Sequence, residues 1–209
     1  MARNATVGQN ERMGRRLAVA VAIAAIGATA SCGSDSPSDE GADVSDDAPD
    51  DIEVTSAAFE DGATIPMRFT CAADNVSPPL AWTGVPDEAQ QLALVMDDPD
   101  APSGTFTHWI VLGLEPDETS LAEDVDLDAL DGIAAAEGSF GAAVYGGPCP
   151  PADDDPHRYR FTVYALDEEL DPCAVGAGAT CEPHATDDAL ALIDDHAIAE
   201  GTLGGRFGL

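Results

Sequence analysis

The chain has 209 residues, a hydrophobic fraction of 44% and 8 basic against 40 acidic side chains, for a formal net charge of -32 at pH 7; every basic residue is an arginine. That charge excludes nucleic acid and anionic lipid headgroups as direct partners, and the apolar content excludes disorder beyond a short segment. The acids read as a solvated surface whose self-repulsion is screened near 1 M salt, where the Debye length is roughly 3 Å. A high-salt environment is therefore expected; an acidic protein of a high-GC organism is the alternative, and unfolding measured against salt separates the two.

Residues 1–31 read as an export signal. Arg12, Arg15 and Arg16 form a positive start, and Leu17 to Ala28 is a small-apolar run, too short to span a bilayer, which takes about 20 residues. Ala28-Thr29-Ala30 fits an ordinary cleavage site, whereas Ala30-Ser31-Cys32 resembles a lipoprotein box that leaves Cys32 lipidated. The following segment favours the lipoprotein: residues 32–51, opening Gly33-Ser34-Asp35-Ser36-Pro37-Ser38, read as an acidic flexible linker that holds a 52–209 domain off a membrane. The expected location is outside the cytoplasm, on the outer face of the cell membrane with the lipid as the only membrane contact, or else secreted.

Lipidation of Cys32 leaves four cysteines, at 71, 149, 173 and 181, an even number suited to an oxidising compartment. Cys173 and Cys181 bracket a short Gly/Ala loop and are expected to pair, closing a loop worth roughly 2–3 kcal/mol. Cys71 and Cys149 then pair by elimination. None of the cysteines has C-x-x-C spacing, so no zinc site is expected, nor any cofactor.

From Ile52 the pattern is that of strands. Ile52 to Ser56 alternates, and Leu92 to Met96 and Trp109 to Leu114 are apolar runs. Tyr159 to Tyr164 alternates most clearly, with Tyr159, Phe161 and Val163 on one face and Arg160, Thr162 and Tyr164 on the other. Proline-rich corners lie at Ser77-Pro78-Pro79, Asp98-Pro99-Asp100-Ala101-Pro102 and Pro148-Cys149-Pro150-Pro151, which exclude helix and favour long shaped loops. Thr186 followed by Asp187 and Asp188 reads as an N-cap with first-turn acids, and Leu190, Ile193, Ala197 and Ile198 recur at helical spacing. A last strand is expected around Thr202 to Phe207. The simplest architecture is mostly β: two packed antiparallel sheets with long loops, covered at one end by the helix.

Six segments occur in order: Arg68-Phe69-Thr70-Cys71, Ser77-Pro78-Pro79-Leu80-Ala81-Trp82, Asp97-Asp98-Pro99-Asp100-Ala101-Pro102, Thr107-His108-Trp109, Tyr145-Gly146-Gly147-Pro148-Cys149-Pro150-Pro151 and Pro156-His157-Arg158-Tyr159. In this order they resemble the phosphatidylethanolamine-binding protein family, in its bacterial YbhB/YbcL-type, Raf kinase inhibitor-like branch. The resemblance implies a β-sandwich with a pocket formed by Asp98, His108, Gly147, Pro148, His157 and Tyr159, with Asp100 close by. Gly138-Ser139-Phe140-Gly141 departs from the family's Asn-Asp before Phe-Gly, and the longer C-terminal segment of eukaryotic members is not recognisable.

The same residues suit a small anion on physical grounds. Gly146-Gly147 can turn successive N–H groups inward as a nest. His108 and His157 can each present a ring N–H, and Asp98 can orient a histidine or serve only as a turn residue. Pro148 and Tyr159 would form apolar walls. His184 and His196 lie outside any motif and read as structural. The expected function is therefore non-catalytic binding of a phosphate-like or carboxylate ligand. Alternatives are inhibition of a secreted hydrolase or a kinase, a metal-dependent enzyme using Asp98, His108 and His157, and a structural lipoprotein with a vestigial pocket. No G-x-S-x-G motif occurs, which argues against a serine hydrolase. The sequence names no protein partner.

Overall fold

The computed structural model describes residues 52–173 and 182–209. The expected leader, the linker, Cys32 and Cys181 lie outside the described residues. Nine strands and one α-helix follow in order: β1 (Glu53–Thr55), β2 (Ala63–Thr64), β3 (Leu80–Thr83), β4 (Gln91–Asp98), β5 (Phe106–Leu114), β6 (Ser120–Leu121), β7 (Ala134–Ala136), β8 (His157–Leu166), α1 (Thr186–His196) and β9 (Ala197–Phe207). They form a three-stranded sheet, β1-β3-β6, and a six-stranded sheet, β2-β9-β8-β4-β5-β7. The pairings are antiparallel except for β2, which joins β9 in parallel.

The alternation along β4 and β8 explains the layering. Leu92, Leu94 and Met96 of β4, with Tyr159, Phe161 and Val163 of β8, enter one apolar cluster with Val54, Leu80 and Trp82 of the small sheet. Their strand neighbours Ala93 and Val95 enter a second cluster with Ala189 and Ile193 of α1. Both faces of β4 are therefore covered, which is why its sequence is a continuous apolar run rather than an alternating one. Each large side chain buried in these layers contributes about 1.5–3 kcal/mol.

The helix differs from expectation in two ways. It lies against the outer face of the large sheet instead of capping one end of the sandwich, and it stops at His196. Ala197 and Ile198 belong to β9, where pairing with β8 outweighs their helical spacing. Ala185 holds the cap position. Thr186 is not a cap because its hydroxyl donates 2.7 Å to the Glu137 carbonyl, tying the helix to the end of β7.

Strand β5 is irregular in two places. Leu92 pairs with Leu114 and Leu94 with Val111, leaving an extra residue near Gly113, whose φ of 86° is a conformation that suits glycine. Met96 then pairs with Trp109 and Asp97 with Thr107, so His108 is left without a counterpart. This bulge lets Trp109 join the inner core while its neighbour His108 packs on Tyr159 from the same layer.

Candidate anion-binding cleft

The inner row of each central strand runs from core into site. On β4 the row Leu92, Leu94, Met96 ends in Asp98; on β8 the row Val163, Phe161, Tyr159 ends in His157. Asp98 and His157 are 3% and 5% exposed, and the His157 Nδ1–H donates to Asp98 Oδ2 over 2.7 Å. The other carboxylate oxygen of Asp98 accepts from the Asp100 backbone N–H at 2.9 Å, which closes the Asp-Pro-Asp turn. Burial disfavours the His157 imidazolium. The hydrogen bond and charge of Asp98, joined by Asp154 at 3.6 Å from Nε2, outweigh that burial and raise the pKa above its ordinary value.

The opposite wall is the bulged His108 and the loop before β8. The His108 Nδ1–H donates to the Gly146 carbonyl over 2.7 Å, and burial lowers its pKa despite that bond and the charges of Asp98 and Asp97. Phe106 meets the His108 ring edge-on at 5.0 Å between centroids, and Phe140 stacks on Phe106 at 6.3 Å. Between the two imidazoles stands Tyr159, with centroids 5.4 Å from His108 and 6.4 Å from His157. Its hydroxyl is fully buried and has no hydrogen-bond partner, unlike the other buried side-chain polar atoms of the described residues. Burial and the Asp98 charge raise its pKa well beyond the usual phenol range.

A cleft of about 380 Å³ opens between these walls, lined by Asp98, His108, Gly147 and His157 together with Ala101, Pro102, Phe106, Phe140, Gly146, Cys149, Pro150 and Pro151. Four of the residues read from sequence thus meet in one lining. Three do not. Asp100 is held by Arg158 through two side-chain contacts of 2.6 and 2.8 Å and a backbone bond of 2.9 Å, which pulls its pKa below the carboxylate range. Pro148 is buried behind the cleft, its carbonyl accepting from Cys71 N–H at 3.1 Å. Tyr159 backs the histidines rather than forming a wall. The apolar walls are Pro102, Pro150, Pro151, Phe106 and Phe140, and the sequence signal for the aromatics was Phe106 two residues before His108.

The glycine nest is not formed. Gly146 N–H donates to the His108 carbonyl and Gly147 N–H to Asn75 Oδ1, so neither amide is free, and neither glycine has positive φ. The glycines are required by close approach instead: a Cβ on Gly147 would lie 2.3 Å from the Phe69 carbonyl oxygen, and one on Gly146 2.6 Å from the Phe140 ring. A disulfide joins Cys71 to Cys149 with Cα atoms 5.4 Å apart. Cys173 is also disulfide-bonded, while its expected partner Cys181 falls outside the described residues. The departing Ser139 takes the place of a loop anchor, its N–H donating to Thr107 O and its hydroxyl accepting from Thr107 N–H. His184 and His196 bond Asp171 and Asp167, away from the cleft.

With this geometry in view, comparison with known proteins is direct. The model of a family described as phosphatidylethanolamine-binding protein matches residues 55–208. The chain belongs to the phosphatidylethanolamine-binding protein family. A UPF0098 protein of Methanothermobacter thermautotrophicus is 44% identical over 153 residues, 72% of this chain and 94% of its own length. A Mycobacterium tuberculosis protein named as a candidate lipoprotein, LppC, is 45% identical over 130 residues, 61% of this chain and 63% of its own. Among solved structures, a phosphatidylethanolamine-binding protein homologue of Chlamydia trachomatis is 34% identical with a TM-score of 0.65, covering 77% of this chain and 99% of that one. Escherichia coli YbcL, described as a member of the mammalian family, is 27% identical with a TM-score of 0.67, covering 76% and 99%. The mostly β architecture of the described residues, with an α-helix near the C-terminus, is that of this phosphatidylethanolamine-binding protein family.

Proposed function

We propose that this family member is an exported, lipid-tethered protein that binds a small anion of phosphate-ester or carboxylate type without transforming it. The observation that carries this reading is the placement of His108 and His157 in the lining of one 380 Å³ cleft with Asp98 behind His157. A carboxylate-backed imidazolium is a local positive donor, and apolar prolines and phenylalanines exclude water around it. Export is supported by the leader, by a Cys71–Cys149 disulfide of the kind that persists in oxidising compartments, and by the relative named as a lipoprotein. Cys32 is the proposed lipid attachment, and labelling with a radioactive fatty acid tests it: an unlabelled Cys32 peptide removes the anchor.

The metal-enzyme reading is less well supported. Asp98 spends one oxygen on His157 and the other on the Asp100 amide, so the carboxylate of a two-histidine, one-carboxylate site is already engaged within the fold. Inhibition of a hydrolase or kinase has no single observation behind it.

Titration of inorganic phosphate into the full chain tests the main reading. So negative a chain repels anions at long range, whereas at about 1 M salt only contacts within a few Å count. Binding is expected to be tighter at molar salt than in dilute buffer; the opposite trend in folded protein, or no binding at any salt, would remove the proposed function.

A further inference from the structure

The two imidazoles of the cleft differ in what they leave for a ligand. A carbonyl only accepts, so the 2.7 Å contact with Gly146 O places the hydrogen of His108 on Nδ1. In the neutral ring, Nε2 is then a bare acceptor. Burial keeps the ring neutral; the charges that oppose this are Asp98 and Asp97 of β4. The other side chains stacked on it, Phe106 of β5 and Tyr159 of β8, bring no charge. His157 is the reverse case. Its Nδ1–H is given to the Asp98 carboxylate and a second carboxylate, Asp154, lies 3.6 Å from Nε2, so both ring nitrogens face acceptors and the form with a hydrogen on each is favoured. The cleft therefore combines one bare acceptor with one ring whose protonated, donating form its neighbours favour.

We propose that this pair selects an oxyanion still carrying one acidic hydrogen, a monoprotonated phosphate group, over anions of similar size that carry none. One phosphate oxygen accepts from His157 Nε2–H, and the P–O–H donates to His108 Nε2. The proposal rests on the anion-binding reading above and adds His108 as the residue that discriminates between anions. Sulfate, carboxylates and phosphodiesters have no hydrogen to give at neutral pH. They would set an oxygen lone pair against the Nε2 lone pair, or force a proton onto a histidine whose burial disfavours it. An unmatched buried acceptor of this kind weakens binding by about tenfold or more. Phosphate monoesters lose their second proton near pH 6, so above that pH their binding draws a proton from solvent.

Calorimetric titration of the full chain at pH 7 and one fixed high ionic strength, in two buffers of different ionisation enthalpy, reads both affinity and proton uptake. The probes are inorganic phosphate, methyl phosphate, dimethyl phosphate and sulfate. Methyl phosphate, which has lost its last acidic hydrogen above about pH 6, is expected to bind with net proton uptake; inorganic phosphate keeps a P–O–H even as its dianion and is expected to bind without needing one. Dimethyl phosphate and sulfate are expected to bind about tenfold or more weakly, without uptake. Methyl against dimethyl phosphate also separates a free or terminal phosphate from an intact phospholipid headgroup, which is a diester. In His108→Gln, whose amide can turn its N–H toward the ligand, the preference for phosphate over sulfate should collapse. Equal affinity of the wild-type chain for phosphate and sulfate, or methyl phosphate binding without proton uptake, overturns the inference and leaves anion binding standing. Binding of none of the four anions to folded chain overturns both.

Discussion

The two walls of the cleft present the same side chain by different means. His157 and Asp98 end two hydrogen-bonded inner rows of the large sheet, so the β4–β8 ladder alone fixes their approach. His108 stands on a bulge, and the loop that faces it from Gly146 to Pro151 has no ladder. That loop is held by cross-links: Gly147 N–H to Asn75, Cys71 N–H to Pro148 and the Cys71–Cys149 disulfide. One imidazole is backed by a carboxylate and the other by a carbonyl, and their pKa values move in opposite directions. Burial lowers both pKa values; the carboxylates beside His157 outweigh it and the carbonyl behind His108 does not, so what anchors each backing decides how easily that balance can be disturbed.

The largest expected effect comes from cutting the cross-linked wall. Replacing both Cys71 and Cys149 with serine opens a loop of 78-residue separation, which the chain-entropy model values at about 4.5 kcal/mol. Urea unfolding at fixed high salt measures it. In the variant that remains folded, amide exchange should rise in residues 145–151 and stay slow in β4 and β8. Equal acceleration in both walls would erase the distinction drawn between them.

The carboxylate-backed wall is tested by Asp98→Asn. Loss of a buried hydrogen bond to a charged group costs about 1.5–3 kcal/mol. The more diagnostic readout is an NMR titration of the ring signals. The His157 pKa should fall toward or below its ordinary 6.5, because the hydrogen bond and charge that offset its burial are gone. The His108 pKa should fall only slightly, since the Asp98 charge is one of its lesser influences. A larger change at His108 than at His157 would show that the backing has been assigned to the wrong ring.

How much of this was visible beforehand follows the range of the interactions. The alternation of Tyr159 to Tyr164 is local, and it placed Tyr159, Phe161 and Val163 on the core face. The motif order brought Asp98, His108 and His157 together. The direction of each polar bond was not visible, because it depends on partners far along the chain. His108 and Gly146 are 38 residues apart, and Gly147 and Asn75 are 72 apart. Without those partners the glycine amides looked free to hold an anion, and both histidines looked like donors. Asp100 does lie close by, its N–H on Asp98, but that its oxygens go to Arg158, 58 residues away, was hidden for the same reason. The bulge at His108 is likewise a property of the β4–β5 register, which no stretch of β5 alone specifies.

The smallest effect distinguishes the walls by the sign of their pH dependence. The His157 pKa in the folded chain lies above 6.5, so its stabilising contribution is whole below 6.5 and is lost as pH rises through the folded value. The His108 pKa in the folded chain lies below 6.5. As pH falls past 6.5 the unfolded chain takes up that proton first, so stability declines until the folded value is passed. Each slope is bounded by one proton, at most about 1.4 kcal/mol per pH unit. Urea midpoints measured against pH in high salt, each variant subtracted from wild type to cancel the many surface carboxylates, isolate the two terms. His157→Gln should remove the decline above 6.5 and leave the one below. His108→Gln should do the reverse. If both variants altered the same side of 6.5, the two imidazoles would share one environment and the donor–acceptor pairing of the cleft would be lost.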